Sequence, residues 1–188
     1  MAKGKFSLLW ILLGVVVVGI VGYISIGNQL VKLDENVNTA WAEVENQFQR
    51  RYDLIPNLVA TVKGFAAQEQ AIIDSVTEAR AKLGGAVTID DKIEASNQVE
   101  SALSRLLVVI ENYPEIKSDA TFMALMDELS GTENRIAVAR NRYNEEVRTY
   151  NTRIRTFPTS IIAGMRGFTA KKLFEATAGS ETAPVVKF

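Results

Sequence analysis

The stretch Phe6–Ile26 reads FSLLWILLGVVVVGIVGYISI and carries no charge. As an α-helix it would reach about 31 Å, close to the hydrocarbon thickness of a bilayer. A soluble domain would have to bury such a helix on every side, and a chain of 188 residues has little interior for that. The stretch therefore predicts a single transmembrane helix. A cleavable signal would have a shorter apolar core ending in small residues, and Gly22-Tyr23-Ile24-Ser25-Ile26 offers no such ending. Gly14, Val18, Gly22 and Ser25 fall on one face, where small residues let helix backbones approach closely. The strict GxxxG spacing is absent, which favours a plain anchor.

The flanks set an orientation. Lys3 and Lys5 precede the span, whereas Lys32 stands among Asp34, Glu35, Glu43 and Glu45 after it. Basic residues stay on the cytoplasmic side. The expectation is a single-pass protein of the bacterial inner membrane with a cytoplasmic N-terminus (1–5), a span (6–26), an external or periplasmic helical bundle (27–176) and a tail (177–188).

The fold class that follows is all-α. The span is expected to continue into an antiparallel, up-and-down bundle of three long helices with a shorter fourth segment. From Gln29 to Leu83 apolar residues recur in steps of three and four, which is helical and close to a heptad. Pro56 lies inside this run, and because the pattern resumes at Leu58 it predicts a kink rather than an end. Gly84-Gly85 closes the helix, and Thr88 to Asp91 supplies caps for a second one reaching Asn112. Within it, Leu106–Ile110 is apolar all round and is expected to be the most buried part. Ser118 or Asp119 caps a third helix running to Phe157, with a stripe from Phe122 through Tyr143 and Tyr150. The fourth segment holds Ile161, Ile162, Met165 and Phe168, with Lys171–Phe174 as an extension by a turn or two.

Composition narrows the chemistry. The chain has no histidine and no cysteine, and its net charge is −1. That removes the commonest metal ligands, the commonest general base and the strongest nucleophile, and nothing in the net charge favours nucleic acid or an acidic membrane surface. The only enzymatic candidates are the carboxylates Glu69, Glu111 and Glu133, and a helical dimetal site would want Glu-x-x-His. The expectation is no enzyme, no cofactor and no metal.

Several charged or polar residues lie on the apolar stripes: Gln47, Arg51 and Glu69 on the first helix, Glu133 and Arg140 on the third. A charge in a packed seam costs stability unless it is paired. Arg51 with Glu133 and Glu69 with Arg140 are the natural pairs. Arg51 and Glu69 would stand about 27 Å apart along a helix, Glu133 and Arg140 about 10 Å, so straight helices cannot make both. The group reads first as a buried polar layer that fixes register, then as a subunit contact, and last as a ligand or catalytic site. The basic run Arg135–Arg148 is diluted by Glu145 and Glu146 and reads as a solvated face. Trp41, one residue off the seam, is either a core residue or an exposed partner anchor.

The residues also carry a resemblance. Val37-Asn38-Thr39-Ala40-Trp41, Gln49–Val59, Val62-Lys63-Gly64, Glu111-Asn112-Tyr113-Pro114, Thr132–Ala137 with Ala139-Arg140, Tyr143-Asn144, Tyr150-Asn151, Phe157-Pro158 and Gly167-Phe168 together resemble the LemA family. The resemblance covers the span and the chain from about Asn28 to Phe174. It implies one N-terminal anchor and an antiparallel bundle of about four helices, with no catalytic residues to carry over. A magnetosome membrane protein is similar to the same family, which points to membrane organisation. The leading expectation is a membrane-anchored, self-associating scaffold with the lipid bilayer and further copies of itself as partners. The alternative is a membrane-tethered binding or sensing module for a protein or small ligand, with an exposed apolar groove near Trp41 or Ile161–Phe168.

Overall fold

A computed structural model describes residues 3–174, with side chains from Trp10 onward. The expected tail at 177–188 lies outside the described residues. Six helices make up the described fold: α1 Lys3–Phe65, α2 Gln70–Gly85, α3 Ile89–Ile110, α4 Pro114–Lys117, α5 Ala120–Arg155 and α6 Thr159–Arg166. The fold is all-α, and the apolar N-terminal stretch continues without interruption into α1, which passes through Pro56.

The first helix ends earlier than its periodicity predicts. Ala66–Glu69 form a turn between α1 and α2, in which the Glu69 amide donates to the Ala66 carbonyl at 3.0 Å. The turn replaces about one helical turn of chain, so the apolar stripe stays in phase across it and hides it. One side chain from beyond α3 holds it: the Tyr113 hydroxyl donates to Glu69 Oε1 at 2.6 Å and accepts from Gln68 Nε2 at 3.0 Å.

The chain packs as two units. One comprises the chain up to Trp41 with Arg142–Leu173. Here α1 and α5 run antiparallel. The Trp41 ring meets Tyr143 edge-on at 5.5 Å, and Arg153 Nη2 donates to Gln29 Oε1 at 2.7 Å. Leu30, Val37, Val147, Tyr150 and Ile154 fill the space between them. The helix α6 closes with Gly167 in the left-handed region at φ 75°. The amides of Gly167 and Phe168 reach back to the carbonyls of Gly164 and Ala163. This double closure stops the helix, so residues 168–174 are not the helical extension expected but an extended strap.

The strap is laced to α5 by side chains. The Tyr150 hydroxyl donates to the Thr169 carbonyl at 3.0 Å and the Tyr143 hydroxyl to the Lys172 carbonyl at 3.1 Å. Asn151 bonds Lys171 twice, Nδ2 to its carbonyl at 2.8 Å and Oδ1 from its amide at 2.9 Å. Lys171 Nζ reaches Asp34 at 2.7 Å and Asn38 at 3.0 Å on α1.

The second unit comprises Ala42–Asn141 with Phe174. Its helices alternate in direction. Arg80 of α2 stacks on Tyr52 of α1 and donates to its carbonyl at 3.0 Å, which sets α2 antiparallel to α1. The pairs Lys92–Glu45 and Tyr113–Glu69 set α3 parallel to α1. Arg50–Glu128 and Arg140 over Phe48 set α5 antiparallel to it. Val44, Ile55, Leu58, Ile73, Val99, Leu106 and Ile136 are the interior. The α3 helix begins with a capping box, Thr88 accepting from the Asp91 amide and Asp91 accepting in return. Asp119 caps α5 through the Phe122 amide at 2.8 Å. The stretch Leu106–Ile110 is not buried all round: Val108 is 70% exposed. Only one side of α3 meets neighbours, and a 3.6-residue period turns Leu103, Leu106 and Ile110 toward them. Phe65, within the predicted first stripe but the last residue of the observed α1, and Phe157, the end of the predicted third stripe, are exposed as well.

Candidate functional site

Most of the charges on the stripes converge on a layer inside the second unit, where Arg51 keeps its expected partner and Arg140 takes others. Arg51 of α1 is 1% exposed and pairs with Glu133 of α5. Arg140 of α5 donates from Nη2 to Ser96 Oγ of α3 at 2.9 Å, and its Nη1 lies 3.5 Å from Glu100 Oε2. The Arg140 guanidinium also lies over two rings, 5.8 Å from the Phe48 centroid and 5.2 Å from that of Phe174, which themselves meet edge-on. Two guanidiniums and two carboxylates leave the layer formally neutral. Arg51 is inside, Arg140 is partly buried, and Glu100 and Glu133 stand partly exposed at the rim, with the Glu100 oxygen that faces Arg140 buried.

Burial dominates the electrostatics. It pulls the Arg51 pKa from its ordinary value down to about 10, with Glu100 opposing and Arg140 adding to the fall. Burial lowers Arg140 as well, again opposed by Glu100. Arg51 remains a cation at neutral pH. Polar atoms are also left over: Nε and Nη1 of Arg51, Nε of Arg140 and Oε1 of Gln47 are buried with no hydrogen-bond partner on the chain. A layer of this kind is costly. Its effect is to fix alignment, since sliding α5 by one turn along α1 would strand Arg51 opposite apolar side chains.

Of the sequence candidates, Gln47, Arg51, Glu133 and Arg140 share this unit's interior or its rim. Glu69 does not join them. It sits at the α1–α2 turn, held by Tyr113, and Arg140 turns to α3 instead. Two members were missed, Ser96 and Glu100. Ser96 is fully buried on the inward face of α3, and a serine within the Ala95, Val99 and Leu103 stripe is the signal that could have found it. Arg135 turns to Thr132 and Glu128, so the basic run does not converge on one point. Trp41 is 8% exposed and packs on Tyr143, which makes it a core residue rather than an exposed anchor. In the apolar stretch, a side chain at Gly14, Gly19 or Gly22 would touch nothing. Among the described residues no cluster of three Asp, Glu, His or Cys residues is placed to hold a metal.

A groove of about 500 Å³ opens beside the layer, lined by Glu45, Phe48, Gln49, Tyr52, Leu83, Gly84 and Lys92. Gly84 is required there, because a Cβ at that position would lie 2.9 Å from Tyr52 Cε2. The groove is bounded by the Lys92–Glu45 ion pair and by the Arg80–Tyr52 stack.

The profile of the family described as LemA matches residues 40–188. Magnetosome protein MamQ 2 of Paramagnetospirillum magneticum is 28% identical over 185 residues, covering 85% of this chain and 68% of the relative. Magnetosome protein MamQ of Magnetospirillum gryphiswaldense is 26% identical over the same length, with the same coverage. Protein LemA of Metamycoplasma hominis is 22% identical over 145 residues, covering 75% of this chain and 66% of the relative.

Proposed function

Since the chain belongs to the LemA family, we propose that it is a membrane-anchored helical scaffold that self-associates and organises a membrane or a membrane-protein assembly. The observation that carries this reading is α1 itself. Its N-terminal part is apolar, long enough to cross a bilayer and only 6% buried within the chain, and it continues unbroken to Phe65. A helix so exposed needs an apolar solvent. Relatives named as magnetosome proteins lend weight to an organising role. The interior layer supplies cations and rim carboxylates but neither histidine nor cysteine, and the proposal therefore includes no catalysis. Lys3 and Lys5 favour a cytoplasmic N-terminus, with the helical units on the opposite side of the inner membrane.

Native mass measurement and chemical cross-linking of the full chain in mild detergent test the reading. A defined oligomer is expected, and a strictly monomeric particle refutes self-association. Recovery of the chain in the soluble fraction after alkaline extraction of membranes would refute the anchor.

The groove at Tyr52 favours a second reading, a membrane-tethered binding module. A ligand seated there would raise the melting temperature in proportion to the logarithm of its concentration. A broad small-molecule and peptide screen with no such shift argues against it.

A further inference from the structure

At the junction of the apolar helix and the first unit, α6 turns a hydrophobic side outward. Phe157 is 77% exposed, Ile161 56% and Met165 71%. Ile161 and Met165 stand one turn apart on the same side of α6, and Thr159 and Ala163 occupy the buried side. Three large apolar residues presented together to water are unusual for a soluble surface.

Their height along α1 gives the reason. Within this unit Tyr143 meets Trp41 and Arg153 meets Gln29, so α5 descends α1 about one residue for one. Continued by four residues, this register brings Phe157 level with the end of the apolar stretch Phe6–Ile26. Arg166, at the other end of α6, confirms the level. Its guanidinium lies 5.1 Å from the Tyr23 ring centroid and packs so closely on Gly27 that a side chain there would collide with it.

Charge points the same way. From Val147 to Phe174 the chain holds Arg148, Arg153, Arg155, Arg166, Lys171 and Lys172 and no acidic residue. A basic segment with an apolar outer side, placed where a membrane helix leaves the hydrocarbon, has the character of an interfacial helix on anionic lipid. We propose that α6 and Phe157 form a foot seated in the headgroup layer of the bilayer, with Phe157, Ile161 and Met165 among the upper acyl carbons and Arg155 and Arg166 at the phosphates. The foot rests on the reading of α1 as a membrane span.

The chain has no cysteine, so single cysteines can be labelled cleanly. Full-length Ile161→Cys, Met165→Cys, Val18→Cys and Val138→Cys would each carry an environment-sensitive NBD fluorophore. They would be reconstituted in vesicles of phosphatidylcholine and phosphatidylglycerol in equal parts. Val138, in α5 of the second unit, is 69% exposed and reports water. The expected result is strong quenching of positions 161 and 165 by lipids with a shallow doxyl group and several-fold weaker quenching by iodide than at position 138. Position 18 should be quenched by deep doxyl lipids. If position 18 is quenched deep but 161 and 165 are as open to iodide as 138, the foot is overturned and the span stands. Shielding of 161 and 165 from both quenchers also overturns the foot, in favour of a protein contact. Failure of deep quenching at position 18 overturns the span, and the foot with it.

Discussion

Replacing Arg51 with methionine should make the protein more stable. The guanidinium is 1% exposed, and its pKa is pulled from the ordinary arginine value down to about 10. That difference is worth ~3 kcal/mol against the charged form, a figure that already includes the help of Glu100. Methionine keeps most of the unbranched stem and removes the charge. Some stem contacts and the Glu133 pair are lost, but Glu133 is about half exposed and is left hydrated rather than stranded in the interior, so the net gain should be ~2 kcal/mol. The converse change, Glu133→Gln, should cost ~1 kcal/mol, because Glu133 is about half exposed and its pairing is softened by water. In an Arg51→Met background the same change should cost almost nothing.

A pH signature separates this account from simple repacking. An arginine with a lowered folded pKa binds fewer protons folded than unfolded between about 10 and the ordinary arginine value. Stability of the parent chain therefore rises with pH across that window, and below it the full penalty stands. The advantage of Arg51→Met should be constant near neutral pH and shrink above about 10. Urea unfolding of the full chain in detergent micelles, followed by far-ultraviolet circular dichroism, gives the midpoints. Urea is preferred because a salt denaturant would screen the charges. Destabilisation of Arg51→Met by more than ~1 kcal/mol would refute the reasoning, since the guanidinium would then be a net stabiliser.

Three further outcomes follow from the geometry. Gly84→Ala should destabilise by ~1–3 kcal/mol because its Cβ must displace the Tyr52 ring, and Gly85→Ala, which meets nothing, should stay within ~0.5 kcal/mol of the parent; paired urea curves decide. Asn151→Ala removes both bonds to Lys171 and should cost ~2 kcal/mol, with hydrogen exchange at the Lys171 amide accelerating well before global unfolding. The Tyr113 phenol titrates above its usual 10 chiefly because it donates to Glu69. This contact supports the fold below that pH and fades as pH rises through the raised value, and nuclear magnetic resonance of the ring should show Glu69→Gln bringing the titration back toward 10.

The residues differ in how plainly they announced these roles. The apolar run at Phe6–Ile26 and the α5 stripe are local patterns, and local patterns are legible because burial follows helical period. Arg51 and Arg140 stood out as charges on apolar faces. Their partners did not: Ser96 and Glu100 belong to a helix whose rotation is set only once α3 packs. The Ala66–Glu69 turn was hidden because it keeps the stripe in phase, and what holds it, Tyr113, lies 44 residues beyond Glu69. The strap from Phe168 has no periodicity, since its bonds go to side chains of α5. The net charge of −1 concealed the acid-free segment from Val147 to Phe174, because acidic residues elsewhere cancel it.

The lacing of the strap works as a ruler. Tyr143 and Tyr150 are seven helical residues apart, about 10 Å of rise. Their acceptors at Lys172 and Thr169 are three extended residues apart, also about 10 Å. A heptad of helix and a triplet of extended chain are thus commensurate. A single residue inserted between Tyr143 and Tyr150 would swing one anchor about 100° around the helix axis and break the match, whereas seven inserted residues matched by three in the strap would preserve it. Length variation in this part of the chain should therefore come in those paired increments.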